Sequence, residues 1–149
     1  MPLEKLYKSS YKLYKPEYNS DTGLYFAEAG VSAGFPSPAM DFMEYKIDLN
    51  KHLAGNPHTT YYVKVAGNSM INAGIEDKDI LVADRSLEPA NGKIAICLID
   101  GEFTVKRLKL QNNGLHLMPE NPAYPPIVVT ELNQFVIWGI VMYVIKRVG

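Results

Sequence analysis

The amino-acid sequence predicts a mainly β protein: a small, strongly bent β domain with short helices, preceded by an N-terminal arm. Two observations carry this prediction. From residue 61 onward, short runs rich in β-branched and aromatic residues alternate with Gly, Asn, Asp and Pro, which is typical of strands joined by turns. Between two of these runs stands Asp100-Gly101, the dipeptide that a two-residue type I′ turn prefers. Residues 93–108 are therefore expected to form a hairpin.

The first 32 residues differ in composition from the rest of the chain. They are broken by Pro16 and Gly23 and lead into small residues that include Ala33 and Gly34. The tyrosine spacing suits a helix, but Pro16 disturbs a helix and tyrosine also favours strands, so the secondary structure stays open. We interpret the segment as an arm, and docking of that arm on its own domain is the favoured interpretation. Its tyrosines are Tyr7, Tyr11, Tyr14, Tyr18 and Tyr25.

Beyond the arm, the predicted elements follow in order. Pro36 and Pro38 indicate an extended entry, and Asp48 is a candidate N-cap for a short helix within residues 40–53 that ends before Gly55. The last strand is long and apolar and holds Trp138, so we expect a central strand or a buried interface. The predicted strands are 61–65, 80–83, 93–99, 102–108, 115–118, 127–130 and 135–145.

The bulk composition excludes several classes of function. The chain has 149 residues and a formal charge of -1, which argues against direct sequence-specific DNA binding. A single cysteine allows no disulfide framework, and the three histidines show no metal-ligand spacing, so no metal or other cofactor is expected. Neither a signal peptide nor a run of about 20 apolar residues occurs, so we expect a cytoplasmic protein that does not span a membrane.

The segment around Ser69 is the first candidate for chemistry. Ser69 follows the strand predicted at 61–65 and lies in the turn-forming stretch Gly67-Asn68-Ser69-Met70. A turn at a strand end can expose the hydroxyl and direct successive backbone N–H groups outward. The N–H groups of Asn68 and Ser69 are candidates for holding an oxyanion, and each such donor is worth roughly 3 to 4 kcal/mol.

A serine nucleophile needs a base, and without a suitable histidine a neutral lysine is the remaining option. In the strand predicted at 102–108, alternation places Lys106 on the same face as Thr104 and Leu108, where it can point inward. Burial there would lower the lysine pKa. On spacing alone, a structural turn and a solvent-facing lysine remain the alternatives. Cys97 is interpreted as a core residue, and Asp79 and Asp84 as turn and surface groups.

Several motifs together resemble the LexA/UmuD family of self-cleaving serine peptidases, and most closely its UmuD branch. The resemblance covers residues 33 to about 148. It rests on Val65-Ala66-Gly67-Asn68-Ser69-Met70, Gly74-Ile75, Asp79-Ile80-Leu81-Val82, Asp100-Gly101-Glu102-Phe103-Thr104-Val105-Lys106-Arg107-Leu108 and Ala33-Gly34-Phe35-Pro36-Ser37-Pro38.

This resemblance implies roles for named residues and a fold of the LexA and signal-peptidase type. Ser69 would be the nucleophile, Lys106 the general base, and Ala33-Gly34 the bond that the protein cuts in itself. Residues 1–33 would then be a cleavable arm and residues 34–149 the Ser-Lys peptidase domain. The UmuD branch often has cysteine before the scissile glycine, whereas this chain has Ala33, as LexA-type repressors do.

The resemblance also implies partners: a second copy of the chain in a homodimer, a UmuC-type polymerase as in DNA polymerase V, and the RecA filament on single-stranded DNA as activator of cleavage during the SOS response. The repressor alternative is disfavoured because 33 residues, broken by Pro16, are too few for a helix-turn-helix domain. A signal-peptidase-like enzyme is disfavoured because no membrane anchor is seen. A non-catalytic interaction module remains the main alternative.

Overall fold

The computed structural model describes residues 13–14, 24–27, 33–35 and 44–149. Within these ranges the chain is mainly β, as the sequence predicts, with one short α helix and a 3-10 turn at Ile71–Ala73. The elements are β1 (Leu13–Tyr14), β2 (Leu24–Ala27), β3 (Glu44–Ile47), α1 (Leu49–Leu53), β4 (Thr60–Lys64), β5 (Ile80–Asp84), β6 (Ile94–Ile99), β7 (Glu102–Gln111), β8 (Gly114–Met118), β9 (Ile127–Val128) and β10 (Phe135–Ile145).

Eight of the described strands form one antiparallel sheet in the order β1-β4-β5-β10-β6-β7-β8-β9. The long apolar strand β10 lies between β5 and β6, so the prediction of a central strand is confirmed. Its pairing shifts register twice, between Ile137 and Gly139 against β6 and between Val141 and Tyr143 against β5. Such bulges bend a strand and increase its twist. The two bulges therefore bend β10 at two points within the sheet.

The predicted hairpin is confirmed, with β6 and β7 paired from Ile99 and Glu102 at its tight end. Asp100 has φ 50° and Gly101 has φ 81°, the two positive values that a type I′ turn requires. All seven strands predicted beyond residue 60 are present. Strand β7 is longer than expected, and β9 is shorter, ending at Val128 because its pairing with β8 is limited to Leu117 and His116.

The described residues of the arm include two strands that the sequence did not distinguish. Strand β1 adds to the sheet edge through Leu13 opposite Val63, and β2 pairs with β3 in a separate two-stranded sheet. Both arm strands therefore pair with strands that follow Gly34. Tyr14 and Tyr25 lie in these strands, whereas Tyr7, Tyr11 and Tyr18 and the extended entry predicted at Pro36 and Pro38 lie outside the described residues.

Residues 44–53 contain the predicted short helix and a strand that the sequence did not predict. Asp48 caps α1, as predicted, because its carboxylate accepts hydrogen bonds from the N–H groups of Asn50 and Lys51. The preceding residues Glu44–Ile47 form β3 rather than helix, since they pair with β2. The side-chain amide oxygen of Asn50 accepts from Tyr62 at 2.6 Å and ties α1 to β4.

Among the described residues, the buried apolar side chains form two clusters on opposite sides of β10. One gathers around Trp138 and the other around Ile140, although these residues are two apart in one strand. The bulge at Trp138 separates them, because the extra residue shifts the faces of the strand. The first cluster contains Val63, Met70, Ile75, Leu81, Ala83, Ile96 and Trp138, and the second contains Ala95, Cys97, Leu108, Leu117 and Ile140. Cys97 is thus a core residue, as predicted.

Asp79 and Asp84 are buried, so the prediction that they are surface groups is wrong. Asp79 accepts hydrogen bonds from the Glu76 N–H and from Lys146. Asp84 accepts from Thr59 Oγ1 at 2.7 Å and from both the N–H and the hydroxyl of Ser86. Desolvation alone would raise the pKa of Asp84, but the bonds from Ser86 and Thr59 hold that pKa below its usual value. Each buried carboxylate therefore stabilises a neighbouring turn by accepting a backbone N–H, that of Glu76 for Asp79 and that of Ser86 for Asp84.

We predict that Asp84→Ala lowers the free energy of unfolding at pH 7 by about 1–3 kcal/mol, because three donors lose their acceptor. The pKa of Asp84 is lower in the folded than in the unfolded chain, so its contribution is complete above about pH 4 and disappears as the pH falls further. Urea unfolding at pH 7 and pH 3 tests this. The difference from the unmutated chain is expected to shrink at pH 3, whereas the exposed-site control Glu131→Ala changes little at either pH. A constant difference would contradict the prediction.

Candidate active site

The turn that carries Ser69 begins where β4 leaves the sheet. Just after β4, the Val65 N–H donates to the Asp79 carbonyl at 2.8 Å and the Val65 carbonyl accepts from the Lys78 N–H at 2.9 Å. Gly67 then turns the chain with φ 93°, a conformation that side chains disfavour. Met70, which is 2% exposed, anchors the far side of the turn in the core. Ser69 is therefore held between two fixed points and stays half-buried.

Two neighbouring loops hold this turn in place. The Asp77 carboxylate accepts from the Gly67 N–H at 2.7 Å, and the Asp77 N–H donates to the Asn68 side chain at 3.1 Å. From the other side, the Glu120 N–H donates to the Ser69 carbonyl at 2.8 Å. Sequence reasoning missed Asp77 and Glu120. Their only local signal is that turn-forming residues cluster in these loops, Asn, Gly and Asp around Asp77 and Pro and Asn around Glu120.

Lys106 lies at the middle of β7 and points inward, as alternation predicts. It is 6% exposed, and its Nζ lies 3.0 Å from Ser69 Oγ. The same nitrogen contacts Thr104 Oγ1 at 2.6 Å and the Val105 carbonyl at 3.1 Å. The structure thus brings together two candidate residues that are 37 positions apart in the chain, and three oxygens fix the position of the amine.

The electrostatic environment favours a neutral Lys106. Burial disfavours the ammonium form and lowers the pKa of Lys106 below its usual value, although Cys97 acts in the opposite direction. No carboxylate among the described residues contacts its Nζ. A neutral lysine is able to accept the hydroxyl proton of Ser69 across the 3.0 Å contact.

The backbone N–H groups of Asn68 and Ser69 face no acceptor among the residues that the structure describes. The neighbouring groups are engaged instead: the Gly67 N–H bonds to Asp77, and the carbonyls of Asn68 and Ser69 accept from the 120–121 segment. The two N–H groups are therefore available to an oxygen at this turn. That arrangement suits an oxyanion site.

An apolar cavity opens beside Ser69. Its wall is formed by strand residues of β4 and β7 together with the aromatic core, and Ser69 is one of its few polar members. The lining residues include Val63, Val65, Ile75, Phe103 and Trp138. A cavity of this kind suits apolar side chains of a bound chain segment next to the hydroxyl.

The candidate bond Ala33-Gly34 is described but does not lie at Ser69. Both residues and Phe35 are exposed, and none of them lines the cavity. A Cβ added at Gly34 would meet no atom within 4 Å. The bond lies in the connection between β2 and β3, so the structure does not bring it together with Ser69 and Lys106.

Other nucleophiles fit the site less well than Ser69. Burial raises the pKa of the Cys97 thiol to about 12, so the reactive thiolate is absent near neutral pH. His58 is exposed in a turn before β4. In the described ranges, no group of three or more His, Cys, Asp or Glu side chains is arranged to hold a metal ion, and no helix has the length and apolar character to cross a bilayer.

One family model and several individual proteins match most of this chain. The peptidase S24-like family model matches residues 25–142. Protein SamA of Salmonella typhimurium (strain LT2) is 45% identical over 103 residues, which are 69% of this chain and 73% of SamA. Protein MucA of Salmonella typhimurium is 41% identical over 114 residues, 76% of this chain and 77% of MucA. The LexA repressor of Bordetella pertussis is 39% identical over 117 residues, 78% of this chain but 53% of the repressor.

Proposed function

This chain belongs to the peptidase S24-like family, as a UmuD-type member of the LexA/UmuD self-cleaving serine peptidases, and on that basis we propose that it cuts its own backbone between Ala33 and Gly34. Ser69 is the nucleophile and Lys106 the general base. The observation that carries the proposal is the 3.0 Å contact between Ser69 Oγ and the buried Lys106 Nζ. Residues 1–33 are the released arm and residues 34–149 the peptidase domain.

The first chemical step forms an ester. Neutral Lys106 takes the hydroxyl proton of Ser69 while Oγ attacks the carbonyl carbon of Ala33. The negative charge that develops on the Ala33 oxygen is stabilised by the backbone N–H groups of Asn68 and Ser69. When the C–N bond breaks, Lys106 returns the proton to the departing Gly34 amine. Ala33 is then esterified to Ser69.

The second step releases the arm. Neutral Lys106 deprotonates a water molecule that attacks the ester carbonyl, and the proton then passes to Ser69 Oγ as the ester bond breaks. The hydroxyl of Thr104, at 2.6 Å from Lys106 Nζ, keeps the amine aimed at Ser69 through both steps. Burial supports the mechanism because a lowered lysine pKa increases the neutral fraction near physiological pH.

Delivery of the bond is the step at which cleavage is regulated. Since Ala33 and Gly34 are exposed and do not line the cavity, this bond has to reach Ser69 before reaction. Holding the bond there replaces an encounter between molecules by a local rearrangement. An activator that favours this arrangement accelerates cleavage without contributing a catalytic group.

Family membership supports the cellular context that we propose. The activator is the RecA filament on single-stranded DNA, and the shortened chain joins a UmuC-type polymerase in the cytoplasm for error-prone synthesis across lesions, as in DNA polymerase V. The chain works as a homodimer. The second half of β10 supports this part of the proposal, because four consecutive side chains there are exposed: Met142, Tyr143, Val144 and Ile145.

Intact-mass measurement of the purified chain tests the proposed cleavage. We expect incubation to yield a fragment that begins at Gly34, more rapidly at pH ~10 than at neutral pH, because more Lys106 is then neutral. Ser69→Ala should remain whole at both pH values. Activated RecA filament should accelerate cleavage of the unmutated chain at neutral pH.

Two results would overturn the proposal. If the unmutated chain stays whole at both pH values and with the filament present, the interaction module becomes the better account. If Ser69→Ala releases the same fragment, a contaminating protease or another nucleophile makes the cut.

A further inference from the structure

The segment that follows β8 contacts the nucleophile turn through its backbone and one side chain. The Asn72 N–H donates to the Glu120 carbonyl at 2.8 Å, and the Glu120 N–H donates to the Ser69 carbonyl at 2.8 Å. The next residue, Asn121, donates from Nδ2 to the Asn68 carbonyl at 2.9 Å. This last bond joins two residues 53 positions apart.

The Asn68 carbonyl and the Ser69 N–H belong to the same peptide unit. A trans peptide is planar, and its carbonyl and N–H point in opposite directions. A bond that fixes the carbonyl therefore also fixes the direction of the N–H. The Asn68 carbonyl also accepts from the Ile71 N–H, but at 3.3 Å, so the bond from Asn121 is the shorter of the two.

The side-chain amide of Asn121 is itself held in one orientation. Its Oδ1 accepts from the Ala123 N–H at 3.0 Å, while its Nδ2 donates to Asn68. Rotating the amide by 180° would place Oδ1 against the Asn68 carbonyl oxygen and Nδ2 against the Ala123 N–H. Only one orientation therefore satisfies both contacts. The segment thus presents a fixed donor to the turn.

We propose that Asn121 is a positioning residue that aims the Ser69 N–H at the oxyanion through the Asn68–Ser69 peptide plane. The inference rests on the proposed function, since it deepens the account of how the same site stabilises its transition state. Asn121 does not touch the reacting atoms. Its contribution is to keep the donor aligned before charge develops, when a freely rotating peptide would have to reorganise.

Asn121→Asp tests the bond to the Asn68 carbonyl while keeping the bond that Asn121 makes within its own loop. The aspartate retains an oxygen for the Ala123 N–H but replaces the donor that faces Asn68 with an acceptor. Asn121→Ser is the uncharged second variant, because its short hydroxyl can still accept within the turn but falls short of Asn68. Asn56→Asp is the matched control: Asn56 also precedes a proline, and its Oδ1 accepts from the His58 N–H at 3.0 Å.

Self-cleavage of the full-length chain, followed by intact mass from neutral pH to pH ~10, is the first measurement. We expect both Asn121 variants to lose about 10- to 100-fold in rate constant, which is below the loss for complete removal of an oxyanion donor. The deficit should persist on the high-pH plateau, where Lys106 is neutral. Asn56→Asp should match the unmutated chain, and all variants should unfold at similar urea concentrations.

Cleavage between molecules provides the second readout. With full-length Ser69→Ala as substrate, the Asn121 variants should show a lower kcat and an unchanged KM, because only transition-state stabilisation is lost. A loss confined to KM would overturn the inference, since it would indicate a role in substrate binding. Recovery to the unmutated rate at high pH would also overturn it, by showing that the aspartate acts through the charge of Lys106.

The remaining outcomes are equally decisive. If folded Asn121→Ser and Asn121→Asp cleave at the unmutated rate, the peptide plane needs no support from Asn121 and the inference is wrong while the proposed function stands. If the unmutated chain does not cleave under any condition, both the proposed function and this inference fail. The behaviour of the unmutated chain and Ser69→Ala therefore distinguishes the two failures.

Discussion

Lys106→Met is expected to slow self-cleavage by about 10²- to 10⁴-fold at every pH, because the variant lacks the only amine in contact with Ser69 Oγ among the described residues. Methionine is similar in length to the lysine stem and carries no charge into the buried position. We therefore expect the fold to persist. The rise in rate with pH should disappear as well, since the titrating base is gone.

The matched control is Lys109→Met on the same strand. Lys109 is exposed, three positions after Lys106, and its replacement makes the same Lys-to-Met change on the same strand without touching the turn. We expect it to cleave like the unmutated chain. Timed intact-mass measurements from pH 7 to 10 compare the three proteins. A Lys106→Met chain that cleaves at the unmutated rate would exclude Lys106 as the base.

A double variant tests whether Ser69 and Lys106 act as one catalytic unit. Residues that act as one unit are strongly non-additive, so Ser69→Ala combined with Lys106→Met should lose no more activity than the more damaging single change. Independent multiplication of the two losses would instead show that Lys106 contributes by a route that does not pass through Ser69.

Trp138→Ala is expected to lower the free energy of unfolding by about 3–5 kcal/mol, the largest stability loss we predict. Trp138 is 2% exposed and is the centre of the first core cluster. Its ring contacts Tyr61 edge-on at a centroid distance of 5.2 Å and Phe103 at 6.1 Å, and the Arg85 guanidinium lies 4.8 Å above it. Removing the ring leaves a cavity and ends all three contacts.

Urea unfolding followed by far-UV circular dichroism measures this effect, because the variant lacks the chain's single tryptophan as a fluorescent probe. A loss of this size is a large fraction of the stability of a typical domain, about 5–15 kcal/mol. Leu132→Ala is the control: Leu132 is 95% exposed, and its truncation should change stability by at most about 0.5 kcal/mol. Equal losses in the two variants would contradict the assignment of Trp138 as the core centre.

Local patterns in the sequence were sufficient to predict the turns, caps and side-chain directions that depend on residues close together in the chain. The two positive φ angles of the Asp100-Gly101 turn and the cap that Asp48 forms on α1 depend on residues a few positions apart. The inward direction of Lys106 follows from strand alternation, which has a period of two residues. Each of these features can be predicted because neighbours in sequence decide it.

Pairing between strands that are distant in sequence could not be predicted from local patterns. Strand β1 exists because Leu13 and Tyr14 meet the edge of β4, and β3 exists because β2 lies beside it. A short segment with mixed propensity takes its conformation from its partner, so nothing local distinguished these strands. The burial of Asp79 and Asp84 was missed for a related reason: besides their local donors, each carboxylate has a donor distant in sequence, Lys146 for Asp79 and Thr59 for Asp84.

The sequence by itself determined which chemistry is possible: a serine on a strand-end turn and a lysine with an inward-facing position on a later strand. Only the tertiary structure decided that they meet. The 3.0 Å contact depends on β10, which holds β5 on one side and β6 on the other and so sets β7 against the turn after β4. The donor from Asn121 to the Asn68 carbonyl arises in the same way. Distances between such residues depend on strand register across the sheet, which no local pattern encodes.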